Sequence, residues 1–100
     1  MLVSIVDFDT AAVDRPAALA CLDAGRDEIR AMPGNVAFRV YASREDEGRV
    51  TIVHEWDDVA SFDGYLGSAV FARSGGVLRP MMVGAPVSRR FHAEALAAPA

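Results

Sequence analysis

The sequence lacks the residues that form disulfide bonds or structural metal sites. It holds one cysteine, Cys21, in 100 residues, which excludes an intramolecular disulfide. Its two histidines, His54 and His92, stand in no cysteine–histidine spacing typical of structural zinc. A chain of this length buries only about two-thirds of the surface that its unfolded form exposes, so oligomerisation is the remaining source of additional burial. We predict a single domain over residues 1–94, followed by a frayed tail over 95–100.

Lysine is also absent: all ten basic residues are arginine, and the formal net charge is −4. An acidic protein is a poor partner for nucleic acid, because phosphate binding needs a basic surface. An arginine-only composition with abundant alanine is typical of a GC-rich bacterial genome. No run approaches the roughly 18 consecutive apolar residues of a membrane span, and Asp7 interrupts the apolar N-terminus too early for a signal peptide. We expect a cytoplasmic bacterial protein with no nucleic-acid and no membrane partner.

Motifs for metal, phosphate and nucleophile chemistry are missing as well. The sequence contains no HExxH, no GxxxxGK, no GxGxxG after a strand and no GxSxG. Cys21 falls in a predicted helix, where a small core residue is the ordinary interpretation. We therefore expect neither a metal nor a cofactor.

What the chain does contain is an ordered set of periodic segments. Apolar residues make up 52% of it and charged residues 24%, which is a globular composition. β-Branched and aromatic residues predict strands over 2–9, 35–44, 49–56 and 86–94. In the second strand, Val36, Phe38 and Val40 are expected on one face and Ala37, Arg39 and Tyr41 on the other.

Two helical segments separate these strands. Apolar residues at helical spacing predict an amphipathic helix over about 15–31, ended by Pro33-Gly34. A second helical region follows Asp57-Asp58 and runs to Met82, with expected interruptions at Gly67-Ser68 and at Ser74-Gly75-Gly76.

The resulting order, β-α-β-β-α-β, predicts a ferredoxin-like α+β fold: a four-stranded antiparallel sheet with both helices on one face. The other face is left uncovered, and it carries either Tyr41, Val53 and Phe91 or the residues of opposite parity. An apolar sheet face on a small protein needs a cover. We therefore predict a homodimer through the open sheet face.

The third strand carries the most informative residues. A period of two places Ile52, His54 and Trp56 on one face, and the following helix can return Phe62 and Tyr65 over that face. One interpretation is a pocket in which a histidine and an indole N–H lie under Tyr65. The other is a filled core, in which His54 is hydrogen-bonded and Trp56 only packs.

Three short motifs resemble those of the antibiotic biosynthesis monooxygenase family. They are the strand-closing pair Glu55-Trp56, the stretch Leu66-Gly67-Ser68-Ala69-Val70-Phe71, and Pro33-Gly34 before the second strand. The resemblance covers about residues 2–94 and implies a dimeric α+β barrel with a cavity in each subunit. The family includes cofactor-free oxygenases that convert aromatic polyketide phenols into quinones, and haem-degrading enzymes.

The sequence departs from both of these groups. Quinone-forming members place an asparagine four residues before the tryptophan, where this chain has Ile52. Haem-degrading members use an asparagine on the first strand and a histidine on the second helix, where this chain has Asp7 and Tyr65. The missing axial histidine disfavours haem chemistry and leaves quinone formation as the expected reaction.

Triplet oxygen oxidises a phenol without a cofactor only when the phenol is present as its electron-rich phenolate. The protein therefore needs a base, a dry pocket, and a hydrogen-bond donor near the developing negative charge. His54 is the predicted base, because it is the residue of that strand that titrates near neutrality. The Trp56 N–H is predicted to donate to a substrate oxygen. Tyr65 and Arg73 are expected to bind phenolic oxygens.

Phe62 and Ile52 complete the predicted substrate-binding set. A non-catalytic ligand-binding or accessory module of the same fold remains the alternative function, because one fold hosts many activities. A scavenger of reactive quinones or aldehydes would share the pocket and differ in substrate.

Overall fold

The computed structural model describes residues 1–97 and forms one four-stranded sheet covered by helices. The strands are β1 (Leu2–Asp9), β2 (Asn35–Ala42), β3 (Arg49–Trp56) and β4 (Val87–His92), and the helices are α1 (Arg15–Arg30), α2 (Val59–Leu66) and α3 (Ala69–Leu78). Short 3-10 turns occupy Ala12–Asp14 and Arg79–Met81. The four predicted strands and the first helix are confirmed, each to within two residues at either end. The predicted tail over 95–100 lies partly outside the described residues.

All neighbouring strands are antiparallel, in the order β2-β3-β1-β4. Phe8 and Val50, which are opposite each other on β1 and β3, are both buried in one core with Leu22 of α1 and Phe62 of α2. Helices therefore cover a single face of the sheet, and the predicted ferredoxin-like architecture is confirmed. No helix within residues 1–97 is long and apolar enough to cross a bilayer.

The turn between α1 and β2 depends on a glycine. Gly34 adopts φ +80°, a left-handed conformation that other residues rarely take. A Cβ atom at this position would meet the Ser61 side chain, which packs against the turn. The Gly34 carbonyl oxygen accepts a hydrogen bond of 2.8 Å from the Asp57 N–H, so the turn also holds the start of α2. Pro33-Gly34 thus ends the helix as predicted.

The second helical region is interrupted once. The Ser68 hydroxyl accepts a hydrogen bond from the Phe71 N–H and caps the N-terminus of α3, which explains the predicted break at Gly67-Ser68. The interruption expected at residues 74–76 is wrong, because α3 continues to Leu78. Each helical glycine costs about 1 kcal/mol relative to alanine, and the burial of Val70 and Leu78 offsets that cost.

A β-bulge corrects the predicted alternation of the second strand. The register on β3 shifts between Asn35 and Ala37, which leaves Val36 53% exposed while Ala37 and Phe38 are both buried. Beyond the bulge, Phe38 lies opposite His54, so the alternation from Phe38 onward holds.

The other sheet face carries the first of the two predicted sets. Tyr41 and Phe91 are 50% and 46% exposed, and Val53 lies on the same face between Ile5 and Arg39 of the adjacent strands. Arg39 and Glu55 form an ion pair of 3.2 Å across this face. No helix of the described chain covers this surface. The homodimer through it stays a prediction.

Candidate functional site

A cavity of about 420 Å³ lies between the sheet and the helices. Apolar side chains from every layer line most of it: Val6, Phe8, Leu22, Ile52, Phe62, Leu66, Phe71, Leu78 and Met82. A few polar groups converge on it, and among them are Ser4, His54, Tyr65 and Arg90. Its size and mostly apolar lining are those of sites that bury a small organic molecule.

His54 and Trp56 form a hydrogen-bonded pair. They are two residues apart on β3, so their side chains project from the same sheet face. The Trp56 Nε1–H donates to His54 Nδ1 over 2.8 Å, and both residues are buried. Because Nδ1 accepts this bond, the neutral imidazole carries its proton on Nε2. The ring therefore offers an N–H donor, rather than a lone pair, to anything bound at its second nitrogen.

Aromatic rings hold the imidazole in place. The ring centroids of Phe38, Phe62 and Tyr65 lie 5.6, 5.7 and 5.5 Å from that of His54. Tyr65 also stacks on Trp56, with centroids 5.3 Å apart and planes inclined by 28°. The packing fixes both members of the hydrogen-bonded pair in one orientation.

This environment changes the protonation of two groups. Burial, reinforced by the positive charge of Arg90, lowers the pKa of His54 from 6.5 to about 4. Burial alone raises the pKa of the Tyr65 phenol to about 12. Near neutral pH the cavity therefore contains a neutral imidazole and a neutral phenol.

A row of polar side chains crosses the sheet beneath the cavity. Ser4 on β1 lies opposite His54 on one side and Arg90 on the other. The Ser4 hydroxyl is 1% exposed, and its oxygen has no hydrogen-bond partner within residues 1–97. The Arg90 guanidinium carbon lies 4.8 Å from the centre of the Phe62 ring, a cation–π contact.

The sequence profile of the antibiotic biosynthesis monooxygenase family matches residues 1–74. The chain belongs to this family. No curated protein matches its sequence significantly.

Solved structures share the fold of this family member across nearly its whole length. An antibiotic biosynthesis monooxygenase of known crystal structure is 18% identical, with a TM-score of 0.87 over 95% of this chain and 100% of its own. A Mycobacterium tuberculosis protein is also 18% identical, with a TM-score of 0.87 over 97% and 98% of the two chains. A Shewanella oneidensis protein is 22% identical, with a TM-score of 0.84 over 92% and 89%. At these identities the likeness establishes the fold.

The structure brings four of the six predicted site residues into the cavity wall: His54, Phe62, Tyr65 and Ile52. Trp56 is fully buried behind His54 and does not line the cavity. Its N–H donates to His54, so in this arrangement it does not donate to a bound molecule.

The structure places Arg73 away from the cavity. Its guanidinium pairs with Glu28 of α1 at 2.7 Å, with both side chains more than half exposed. Arg73 lines a shallow groove between α1 and α3 instead of the cavity. Helical spacing put it on the α3 surface but did not specify which neighbour its side chain meets.

Ser4 and Arg90 are the site residues that sequence reasoning missed. Ser4 lies on the same face of β1 as Leu2, and Arg90 lies on the same face of β4 as Ser88. This is the face turned toward the helices, so the alternation of the strands was sufficient to identify both as unusual inward-facing polar residues. Their adjacency depends on the pairing of β1 with β4, which no local pattern specifies.

The residues at the positions of the haem-degrading members do not come together at one site. Asp7 lies on the open sheet face, where its carboxylate accepts a hydrogen bond from the Thr51 hydroxyl. Tyr65 lines the cavity on the other face, where burial raises the pKa of its phenol. Within residues 1–97 no group of three His, Cys, Asp or Glu side chains is placed to hold a metal ion.

Proposed function

We propose that this family member is a cofactor-independent monooxygenase that oxidises a small or polycyclic aromatic phenol to a quinone. The observation that carries the proposal is the apolar cavity in which Trp56 fixes the tautomer of His54. An aromatic substrate suits a wall that includes Phe8, Phe62 and Phe71.

The reaction can be written with balanced atoms for a phenol whose ring system includes an activated CH₂ carbon. Loss of a proton gives a delocalised anion, which transfers one electron to O₂. The resulting radicals combine into a carbon-bound hydroperoxide after reprotonation. Cleavage of its O–O bond leaves one oxygen atom as the new carbonyl and releases the other with two hydrogens as water. The dry cavity protects the anion and the peroxide from solvent.

His54 acts in this proposal as a hydrogen-bond donor. The sequence suggested a general base, but its Nδ1 lone pair is occupied by the Trp56 N–H, and its Nε2 already carries the proton. A neutral imidazole N–H aimed at the substrate oxygen stabilises the anion without being titrated itself. The substrate proton leaves to water at the cavity mouth. Trp56 is accordingly a positioning residue that holds the imidazole.

Oxygen uptake tests the function. Purified protein and a dihydroxyanthracenone-type phenol are mixed in buffer that contains a chelator and no added flavin, with the spontaneous rate subtracted. His54→Leu removes the donor and is expected to lower the rate about 100-fold, the effect of losing one such donor. His92→Gln, at the exposed end of β4, is the matched control and should keep the wild-type rate.

Two results would contradict the proposal. One is wild-type protein that consumes no oxygen with any member of a panel that includes neutral phenols and phenolic carboxylates, and tight binding in that case would favour the ligand-binding or accessory module. The other is a folded His54→Leu variant with the wild-type rate, which would remove His54 from the site.

We also propose that two copies pair through the open sheet face. The half-exposed rings of Tyr41 and Phe91 lie on this face, where burial against a second sheet would remove apolar area from water. Such a pair is isologous, so the same patch of both copies, including Arg39 and Glu55, would take part in the contact around a twofold axis.

A further inference from the structure

The charge at the wall of the cavity is unbalanced. Two arginines that are also exposed to solvent, Arg79 and Arg90, line it, and no aspartate or glutamate does so within residues 1–97. The chain as a whole has a net charge of −4, so an exclusively positive lining is the opposite of its average surface. A cavity with basic groups and no acidic ones favours an anionic ligand.

Arg90 differs from most other arginines in having no partner. Arg39, Arg49 and Arg73 pair with carboxylates, and Arg15 donates to backbone carbonyl oxygens. The Arg90 side chain makes no hydrogen bond and no ion pair within residues 1–97. Its defined contact is the ring of Phe62, which holds the guanidinium at the cavity wall while its N–H groups stay available.

Ser4 supplies a second, independent indication of a ligand. A buried hydroxyl without a hydrogen bond costs about 1–3 kcal/mol, so native proteins rarely leave one unpaired. The Ser4 oxygen is such a group, it lines the cavity, and it stands beside Arg90 on the neighbouring strand. A ligand oxygen placed between the two would satisfy both.

We propose that Arg90 and Ser4 bind the carboxylate of the substrate, so that the cavity takes aromatic acids and discriminates against neutral phenols. This rests on the proposed function only for the reaction that follows binding. A guanidinium presents two parallel N–H donors that match the two oxygens of a carboxylate. The Ser4 hydroxyl adds a third donor on the same side. His54, next in the row, is left to the oxygen of the reacting ring.

Binding of two matched probes tests this inference. 3-Hydroxy-2-naphthoate and 3-hydroxy-2-naphthamide have nearly the same shape, but only the first is an anion. Calorimetric titration under nitrogen at pH 7.5 should show the carboxylate binding about 10- to 100-fold tighter than the amide, as charge-assisted hydrogen bonds predict. Ser4→Ala should reduce this preference several-fold.

Adjacent arginines on β4 provide the control. Arg90→Gln should bring the ratio of the two affinities close to one, whereas Arg89→Gln should leave it unchanged, because Arg89 points to the opposite sheet face. Equal affinity of the two probes for wild-type protein would overturn the inference. So would a Kd above about 1 mM for both probes, or an equal loss of preference in the two arginine variants.

The binding assay tests the carboxylate site and the oxygen assay tests the oxygenation, so a negative result in one does not imply a negative result in the other. Without oxygen no turnover occurs, so a carboxylate preference can be present in a protein that never consumes oxygen. Conversely, oxygen uptake with neutral phenols at full rate, together with equal probe affinities, would refute the carboxylate site and leave the proposed oxygenation standing.

Discussion

Acid should destabilise this protein through the buried His54. The pKa of this histidine is about 4 in the folded protein, against 6.5 when it is exposed to water. Well above pH 6.5 the imidazole is neutral in both states and contributes no pH dependence. Between pH 6.5 and pH 4 the unfolded chain binds a proton that the folded chain does not, so the free energy of unfolding falls as the pH falls. At 1.36 kcal/mol per pH unit, the total loss reaches about 3 kcal/mol near pH 4.

Urea unfolding at fixed protein concentration, repeated from pH 7.5 to pH 4.5, measures this loss. Trp56 is the single tryptophan and lies against His54, so its fluorescence reports the transition at the site. Asp9 and Asp58 have lowered pKa values because of their bonds to Arg49 and Ser61, so their contribution to stability starts to be lost only at the acid end of this range, as the pH approaches their ordinary value of 3.8. His54→Gln should remove most of the slope. Parallel curves for the wild type and His54→Gln between pH 6.5 and pH 4.5 would refute the buried neutral histidine.

Two further predictions concern the positioning residue and the assembly. Trp56→Phe leaves the buried Nδ1 of His54 without its donor, which should cost about 1–3 kcal/mol of stability by urea unfolding. The variant should also lower kcat more than it changes KM, because its imidazole is free to turn. Stability and kinetics equal to those of the wild type would show that the hydrogen bond is not formed in solution. Sedimentation should give twice the chain mass of 10.7 kDa at micromolar concentration, and Phe91→Arg should give the single mass. A wild-type monomer would exclude the proposed pairing.

Local patterns were sufficient for the fold. The alternation of side chains predicted both ends of β3, and Pro33-Gly34 predicted the end of α1. These signals are local, because strand and turn preferences depend on a few neighbouring residues. They failed at Val36, since the bulge there is set by packing against β3, and at Gly75, since tertiary contacts outweigh the low helix propensity of glycine.

Only part of the candidate site could be predicted from the sequence, because local patterns do not specify which distant residues meet. The shared face of His54 and Trp56 follows from a period of two, but the direction of the indole N–H toward Nδ1 depends on side-chain rotamers. Arg90 and Ser4 are 86 residues apart along the chain, and only strand pairing places them side by side. The cavity is therefore built from a local pair that the sequence indicates and a non-local pair that it does not.

Labelled oxygen tests the central claim most directly. The protein is incubated under ¹⁸O₂ with an anthracenone-type phenol, with a chelator present and without added flavin, and the quinone and hydrogen peroxide are quantified. We expect one ¹⁸O atom in the new carbonyl group, one O₂ consumed per quinone, and no hydrogen peroxide above the protein-free reaction. Quinone formed without the label, with hydrogen peroxide equal to the oxygen consumed, would show an oxidase in place of a monooxygenase and contradict the claim.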